Sequence, residues 1–313
     1  MGETNQESWE RGVIEKLASA ALKEQRRARR WGIFFKLAFL MYMLFILYLA
    51  MSDTTGTGVP LGDHTGLVEL DGIISSDSRA SADVLITGLQ DAFKNKHTKG
   101  VIIRANSPGG SPVQADYVYN EIKRLKKKYP DIPVYAVISD ACVSACYYIV
   151  SAADKIYANE TSLVGSIGVI SEGFGFVGTL DKLGMQRRIY TAGKNKGILD
   201  PFSPERESDV KHMHVLLDEV HQHFINAVRS GRGDRLKTDT PDLFSGLFWT
   251  GQQGLAMGLV DEFASAGTVA RDVIGEEDIV DYTPEEDWLT RISDRFGAVM
   301  SHTLSGLQQW HLR

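Results

Sequence analysis

The chain has 313 residues, 43% of them apolar, which is enough for one large folded domain with appendages. A formal net charge of −6 argues against a general nucleic-acid binder. Cys142 and Cys146 are its only cysteines, so there is no disulfide framework and no zinc-type pair of pairs.

In chain order, Arg26, Arg27, Arg29 and Arg30 precede a run from Trp31 to Met51 that is apolar except for Lys36. These 21 residues span about 31 Å as a helix, against a hydrocarbon core of roughly 30 Å. Lys36 lies near one end, where a lysine reaches the headgroups. No Lys or Arg follows until Arg79, so the positive-inside rule predicts a cytoplasmic N-terminus and an extracytoplasmic remainder. The long polar leader and the poor cleavage site Leu49-Ala50-Met51 favour an uncleaved anchor over a signal peptide. Residues 52–64 are small and polar and read as a linker.

Strands and helices then alternate. Leu67 to Ile73 is strand-like, Ala80 to Phe93 helical, and Gly100 to Arg104 a short buried strand. Ser111-Pro112-Val113-Gln114 reads as a capping box opening a helix to about Lys128, and Val134 to Ile138 as the next strand. Such alternation predicts an α/β domain with much parallel pairing. A long helix follows Ser203-Pro204, with the stripe Val210, Met213, Leu217, Val220, Phe224 and Val228, and Gly231 is expected to stop it. Thr250-Gly251-Gln252-Gln253 is another capping box, before a short helix ended by Gly258. Thr283-Pro284-Glu285-Glu286 opens a last, amphipathic helix. Its apolar stripe suits packing on protein or on a membrane surface, with Trp288 and Trp310 as interfacial anchors.

Three segments carry chemistry. Asn106-Ser107-Pro108-Gly109-Gly110 is a turn before a helix, able to present backbone N–H groups to an oxyanion. Ser144 lies in a small-residue turn after a strand. Lys196 lies in the loop Gly193-Lys194-Asn195-Lys196-Gly197, and no histidine occurs between Ser144 and His212. A serine nucleophile here needs another base, and a lysine serves when desolvation disfavours its ammonium. Lys196 should then be shielded once the site is assembled, with Lys194 pointing to solvent. His212, His214, His221 and His223 crowd one helix among acids and read as a solvated face, not a metal site. Cys142 and Cys146 are either two small buried thiols or a pair formed in an oxidising compartment.

In order, these blocks resemble the signal peptide peptidase A family of membrane-anchored serine proteases, in the Clp protease/crotonase superfamily. The resemblance covers about residues 65–265. It rests on Asn106 to Gly110, on Ser144-Ala145-Cys146-Tyr147-Tyr148 followed by Ala152 to Ala158, on Gly165-Ser166-Ile167-Gly168-Val169, on Gly193 to Lys196, and on Trp249 to Gln253 with Gly258-Leu259-Val260-Asp261. It implies a Clp protease/crotonase-like α/β fold and a Ser-Lys dyad. Ser144 matches the nucleophile, Lys196 the base and Ser166 a hydroxyl aligning the lysine amine. Backbone N–H groups of Gly109 or Gly110, with Ala145, match the oxyanion hole. One departure is the Ser-Ala-Cys sequence, where the family usually has Ser-Gly-Gly or Ser-Gly-Ala.

The expected organisation is a cytoplasmic tail (1–30), a transmembrane helix (31–51), a linker (52–64), a protease domain (65–275) and a C-terminal amphipathic helix (276–313). The expected function is an endopeptidase of the bacterial inner membrane, with an extracytoplasmic catalytic domain, that cuts leftover signal peptides and other membrane-near peptides. The expected partners are peptide substrates, membrane lipid and further copies of the chain in a ring-like assembly, with no cofactor and no nucleic acid. Two alternatives are a related membrane protease with a dedicated stomatin-like substrate, and a crotonase-like acyl-CoA enzyme or inactive scaffold. The dyad and the anchor together argue against the last.

Overall fold

A computed structural model describes residues 23–46 and 62–284. Residues 23–46 are one helix, α1, exposed along its whole length. Among the described residues no helix is long and apolar enough to cross a membrane. The described part of α1 takes in the arginines before the expected span, and residues 47–51 of that span lie outside the described residues.

Residues 62–284 build a mixed α/β fold, with the alternation expected for the Clp protease/crotonase-like class. The elements are β1 (His64–Asp71), α2 (Ala82–Lys94), β2 (Thr98–Ser107), α3 (Pro112–Lys128), β3 (Val134–Val143), α4 (Ala145–Val150), β4 (Lys155–Ala158), β5 (Leu163–Gly165), α5 (Val177–Lys182), α6 (Glu207–Arg232), β6 (Phe248–Thr250), α7 (Gly251–Met257), β7 (Glu262–Phe263), α8 (Ala266–Thr268) and β8 (Ile279–Asp281). The main sheet runs β6-β5-β3-β2-β1-β8, with β4 pairing β3 and β7. Every pairing is parallel except β5 with β6.

One face of this sheet is buried and the other is covered in part, with Arg104 and Asp71 exposed, so the strands read largely as apolar runs. Val68, Leu70, Val101, Ile103, Val134 and Ala136 point to the core under α2 and α3. Their neighbours Leu67, Ile102 and Val137 pack with Tyr157, Ala266, Val269 and Ala270 in a separate cluster. The period-two alternation of strands thus feeds two cores at once.

Strand β3 does two jobs. Tyr135 to Val137 pair with β4, whereas Ala141 to Val143 pair with β5. The strand therefore leaves one partner for another just before Ser144.

Several local expectations change. Ser111 caps α3 through the Gln114 N–H, but the Gln114 side chain does not return to it and instead accepts from the Ala82 N–H at 2.7 Å. Half of the anticipated capping box is thus a tie between two helix starts. Gly231 does not stop α6, which runs to Arg232 with Gly233 as its C-cap. A Cβ at Gly231 would meet the Ser151 carbonyl oxygen at 2.0 Å, so the glycine serves close packing rather than termination. Of the α6 stripe, Phe224 and Val228 are fully buried. Thr250 and Gln253 form a complete capping box, and Gly258 ends α7 in the left-handed region at φ 76°. The domain also passes its expected limit at 275: β8 pairs with β1, and Tyr282 bonds His64 and Asn95. The expected helix beyond Pro284 lies outside the described residues.

Candidate active site

Ser144 occupies the N-cap position of α4, with φ 55° and ψ −127°. An N-cap serine normally has extended backbone, and its hydroxyl oxygen accepts from an amide N–H of the first turn. Ser81, Ser111, Thr250 and Ser265 in this chain do so. Ser144 makes no side-chain cap, so its hydroxyl is not consumed by the helix. The unusual backbone is held on both sides: its N–H donates to the Gly165 carbonyl at 2.9 Å, and its carbonyl accepts from the Tyr148 N–H at 3.1 Å. A positive φ at a non-glycine residue costs about 1–3 kcal/mol and persists where the surroundings over-determine it.

The glycine turn stands directly against this elbow. A Cβ on Gly109 would lie 2.7 Å from the Ser144 Cβ and 3.1 Å from the Ala145 nitrogen. With φ at 103°, Gly109 has both a steric and a conformational need for glycine. Its N–H donates to the buried Ser107 hydroxyl at 3.1 Å. Gly110 is exposed at φ 149°, and its N–H has no hydrogen-bond partner among the described residues. Of the two glycine donors left open by the sequence, Gly110 has the N–H available to a ligand. Ile74 fixes that turn, donating its N–H to the Gly109 carbonyl at 2.9 Å and accepting from the Ser111 N–H at 2.8 Å.

Ser166 follows Gly165, the residue that holds the Ser144 N–H. Ser166 also has positive φ, 51°, with its N–H on the Leu247 carbonyl at 2.8 Å. Its side chain is half-buried and has no hydrogen bond among the described residues. The elbow, the glycine turn and the Gly165-Ser166 corner are therefore assembled within one chain.

Lys196 is not part of that assembly. It lies in a turn where its N–H bonds the Gly193 carbonyl at 3.1 Å, and its side chain is exposed. No hydrogen bond joins it to Ser144 or Ser166 among the described residues. The shielding expected of it is absent in the single chain. Lys194 is also exposed, and it lines a cleft of about 1130 Å³ between the arm (166–206) and α6, whose walls include Phe174, Phe176, Leu199, Met213 and Leu217.

Beneath α4 lies a polar support that sequence reading did not single out. The Arg232 side chain is fully buried and forks onto Asp261, both contacts at 2.8 Å, while its Nε donates to the Gly258 carbonyl. Burial disfavours the Asp261 carboxylate, but the Arg232 hydrogen bond and charge overcome this and hold its pKa below the usual value. Tyr147 of α4 donates to the Leu259 carbonyl at 2.8 Å, and burial pushes its phenol well above the ordinary range. The Tyr148 phenol is raised by burial and by its hydrogen bond to Asp116. Gly258-Leu259-Val260-Asp261 thus underlies α4; its only signal in the sequence was membership of a recurring block.

Cys142 and Cys146 are joined, with Cα atoms 5.1 Å apart. The open choice between free thiols and a pair resolves to the pair.

Residues 126–277 match Peptidase family S49. A protein named Na(+)/H(+) antiporter NhaA in Brucella abortus is 43% identical over 189 residues, 60% of this chain and 25% of that protein. Three quarters of it lies outside the match, so the transport in its name is not carried over. A protein of Enterococcus faecium, provisionally named signal peptide peptidase SppA, is 31% identical over 199 residues, 63% of this chain and 57% of that one. A provisionally named protease of Methanocaldococcus jannaschii is 30% identical over 222 residues, 69% of this chain and 70% of that one. The chain therefore spans a quarter of the Brucella relative and little more than half of the Enterococcus one. With the family match and the full run of motifs, the chain belongs to peptidase family S49, the signal peptide peptidase A-like serine proteases.

Proposed function

We propose that the chain is a serine endopeptidase working through a Ser144–Lys196 dyad and an acyl-enzyme. The observation that carries the reading is the uncapped Ser144 hydroxyl on its held elbow, with Gly109 packed against it and the Gly110 N–H unengaged. In this mechanism the neutral Lys196 amine takes the Ser144 proton as Oγ attacks the peptide carbonyl. The N–H groups of Gly110 and Ala145 receive the oxyanion. The Lys196 ammonium then protonates the leaving amine, and the freed amine activates the water that hydrolyses the ester. Ser166 aligns the amine. A lysine acting as base requires a dry setting, and the exposed arm lacks one alone.

A homo-oligomer would supply that cover. Ile170, Phe174, Leu183 and Tyr190 are between 66% and 91% exposed, more apolar surface than an isolated arm would carry into water. The substrate class is leftover signal peptides and other membrane-near peptides, bound as extended strands. An N-terminal anchor in the bacterial inner membrane, with the catalytic domain outside, is supported by the arginine cluster before the 31–51 run and by a disulfide that belongs to an oxidising compartment.

The test is labelling of the full chain in detergent with a fluorophosphonate, wild type against Ser144→Ala. Labelling at Ser144 that vanishes in the variant supports the reading. Equal labelling of both, or none of either, overturns it.

A further inference from the structure

The cysteines flank Ser144 symmetrically, in Cys142-Val143-Ser144-Ala145-Cys146. Cys142 is locked in the sheet, opposite Ser107 of β2 on one side and Val164 of β5 on the other. Cys146 is the second residue of α4. Both are fully buried, and their bond closes a small ring containing Ser144 and Ala145.

That ring meets a specific structural need. Helix α4 has six residues and no side-chain cap, and short helices are weak without help. The residue that would cap it is Ser144. One hydroxyl cannot both serve the helix and attack a carbonyl. The crosslink joins the start of α4 to a strand end that the sheet already holds. It thereby supplies the fastening a cap would have given.

We propose that Cys142–Cys146 is a positioning crosslink that keeps the Ser144 hydroxyl out of the N-cap role and in attacking geometry. This rests on the reading of Ser144 as nucleophile. When the bond is cut, the turn relaxes toward the ordinary extended N-cap, and the hydroxyl accepts from an amide of the first turn of α4. Nucleophilicity falls while the domain stays folded. The cut is a two-electron reduction by a dithiol. One thiolate of the reductant attacks a cysteine sulfur, its second thiol displaces that sulfur, and the reductant closes to a cyclic disulfide. Both cysteines are left as protonated thiols.

The experiment uses the full chain, exported and purified in detergent, in three states: as purified, reduced with dithiothreitol until alkylation of a denatured aliquot counts both thiols, and as the Cys142→Ala/Cys146→Ala variant. The readout is the rate constant for fluorophosphonate labelling of Ser144 in molecules that keep native near-UV dichroism. The reduced protein and the variant should label more slowly, by on the order of tenfold to a hundredfold, the scale of loss from a misplaced reacting group. Reoxidation should restore the wild-type rate. A crosslink that only stabilises the fold would lower the labelled amount and leave the rate constant of folded molecules alone. Free thiols in the purified protein, or an unchanged rate constant after reduction, overturns the proposal. Should the variant not fold, the reduced wild type decides. Oxidised wild type that is never labelled at Ser144 defeats the nucleophile reading, and this inference falls with it.

Discussion

The sheet domain up to Gly165 and the arm from Ser166 to Arg206 are built on opposite terms. Around Ser144 the chain is buried, with the elbow held by Gly165, Tyr148 and a crosslink. The arm is mostly exposed beyond its root, where Ile167 is buried in the core. Its short helix α5 buries no residue, and it is tied mainly by a few local contacts, such as Phe176 stacked on Phe202 and Arg187 beside Asp200. On the proposed mechanism, the difference matches what each group needs. A serine nucleophile needs position, which one folded chain provides. A lysine base needs exclusion of water, which an exposed turn lacks until something covers it.

The largest expected effects come from removing each half of the proposed dyad. Ser144→Ala and Lys196→Ala should each lower peptidase activity by about 10⁴-fold or more, with the double variant no worse than either. Both should melt within about 2 °C of wild type, since neither change creates a cavity or unpairs a buried group. An active Lys196→Ala beside a dead Lys194→Ala would move the base to the wrong lysine and sink the assignment.

Next in size is the support under α4. Arg232→Met leaves the Asp261 carboxylate and the Gly258 carbonyl without their buried partner, and should cost about 3–5 kcal/mol of stability in denaturant titration. The pH dependence follows the same pair. Because the folded Asp261 pKa is depressed, its contribution is present above the unfolded value of about 3.9 and is lost as pH falls through the lower folded pKa. In Arg232→Met burial is no longer outweighed, so the folded Asp261 pKa rises and this acid-side loss of stability should shrink or reverse. An unshifted acid limb would show that the pair does not govern it.

A matched glycine pair compares the two regions directly. Gly231→Ala drives a Cβ to 2.0 Å from the Ser151 carbonyl oxygen and should cost about 1–3 kcal/mol. Gly173→Ala in the arm meets nothing within 4 Å and should stay within about 0.5 kcal/mol of wild type. Similar melting curves for the two would erase the distinction between packed domain and open arm. Between these two lies Thr250→Ala, which removes the α7 cap and should cost about 1 kcal/mol.

Much of this was legible beforehand. Apolar runs located β1, β2 and β3 to within a few residues, and Thr250 with Gln253 announced α7, because propensity and capping act over one turn of chain. Where the partner was distant, local reading went astray. Gln114 was expected to bond its own helix start and reaches Ala82 instead. Gly231 was expected to end a helix and instead lets α6 approach Ser151. The limit at 275 missed β8, whose three residues become a strand only against β1.

The candidate site divides along the same line. Reading along the chain is enough to find the candidate groups and their order: the glycine turn, Ser144, the Gly165-Ser166 corner, Lys196. Those blocks are contiguous, and each role proposed for them demands a particular side chain or a glycine. The folded chain adds that the Gly109 N–H is taken by Ser107 while the Gly110 N–H has no partner among the described residues, that the two cysteines are joined, and that Ser144 stands at a helix start without capping it. Ser107 and Gly109 are two residues apart and the cysteines four, but whether such neighbours meet depends on the backbone path, which for Ser144 is set by the distant Gly165 carbonyl.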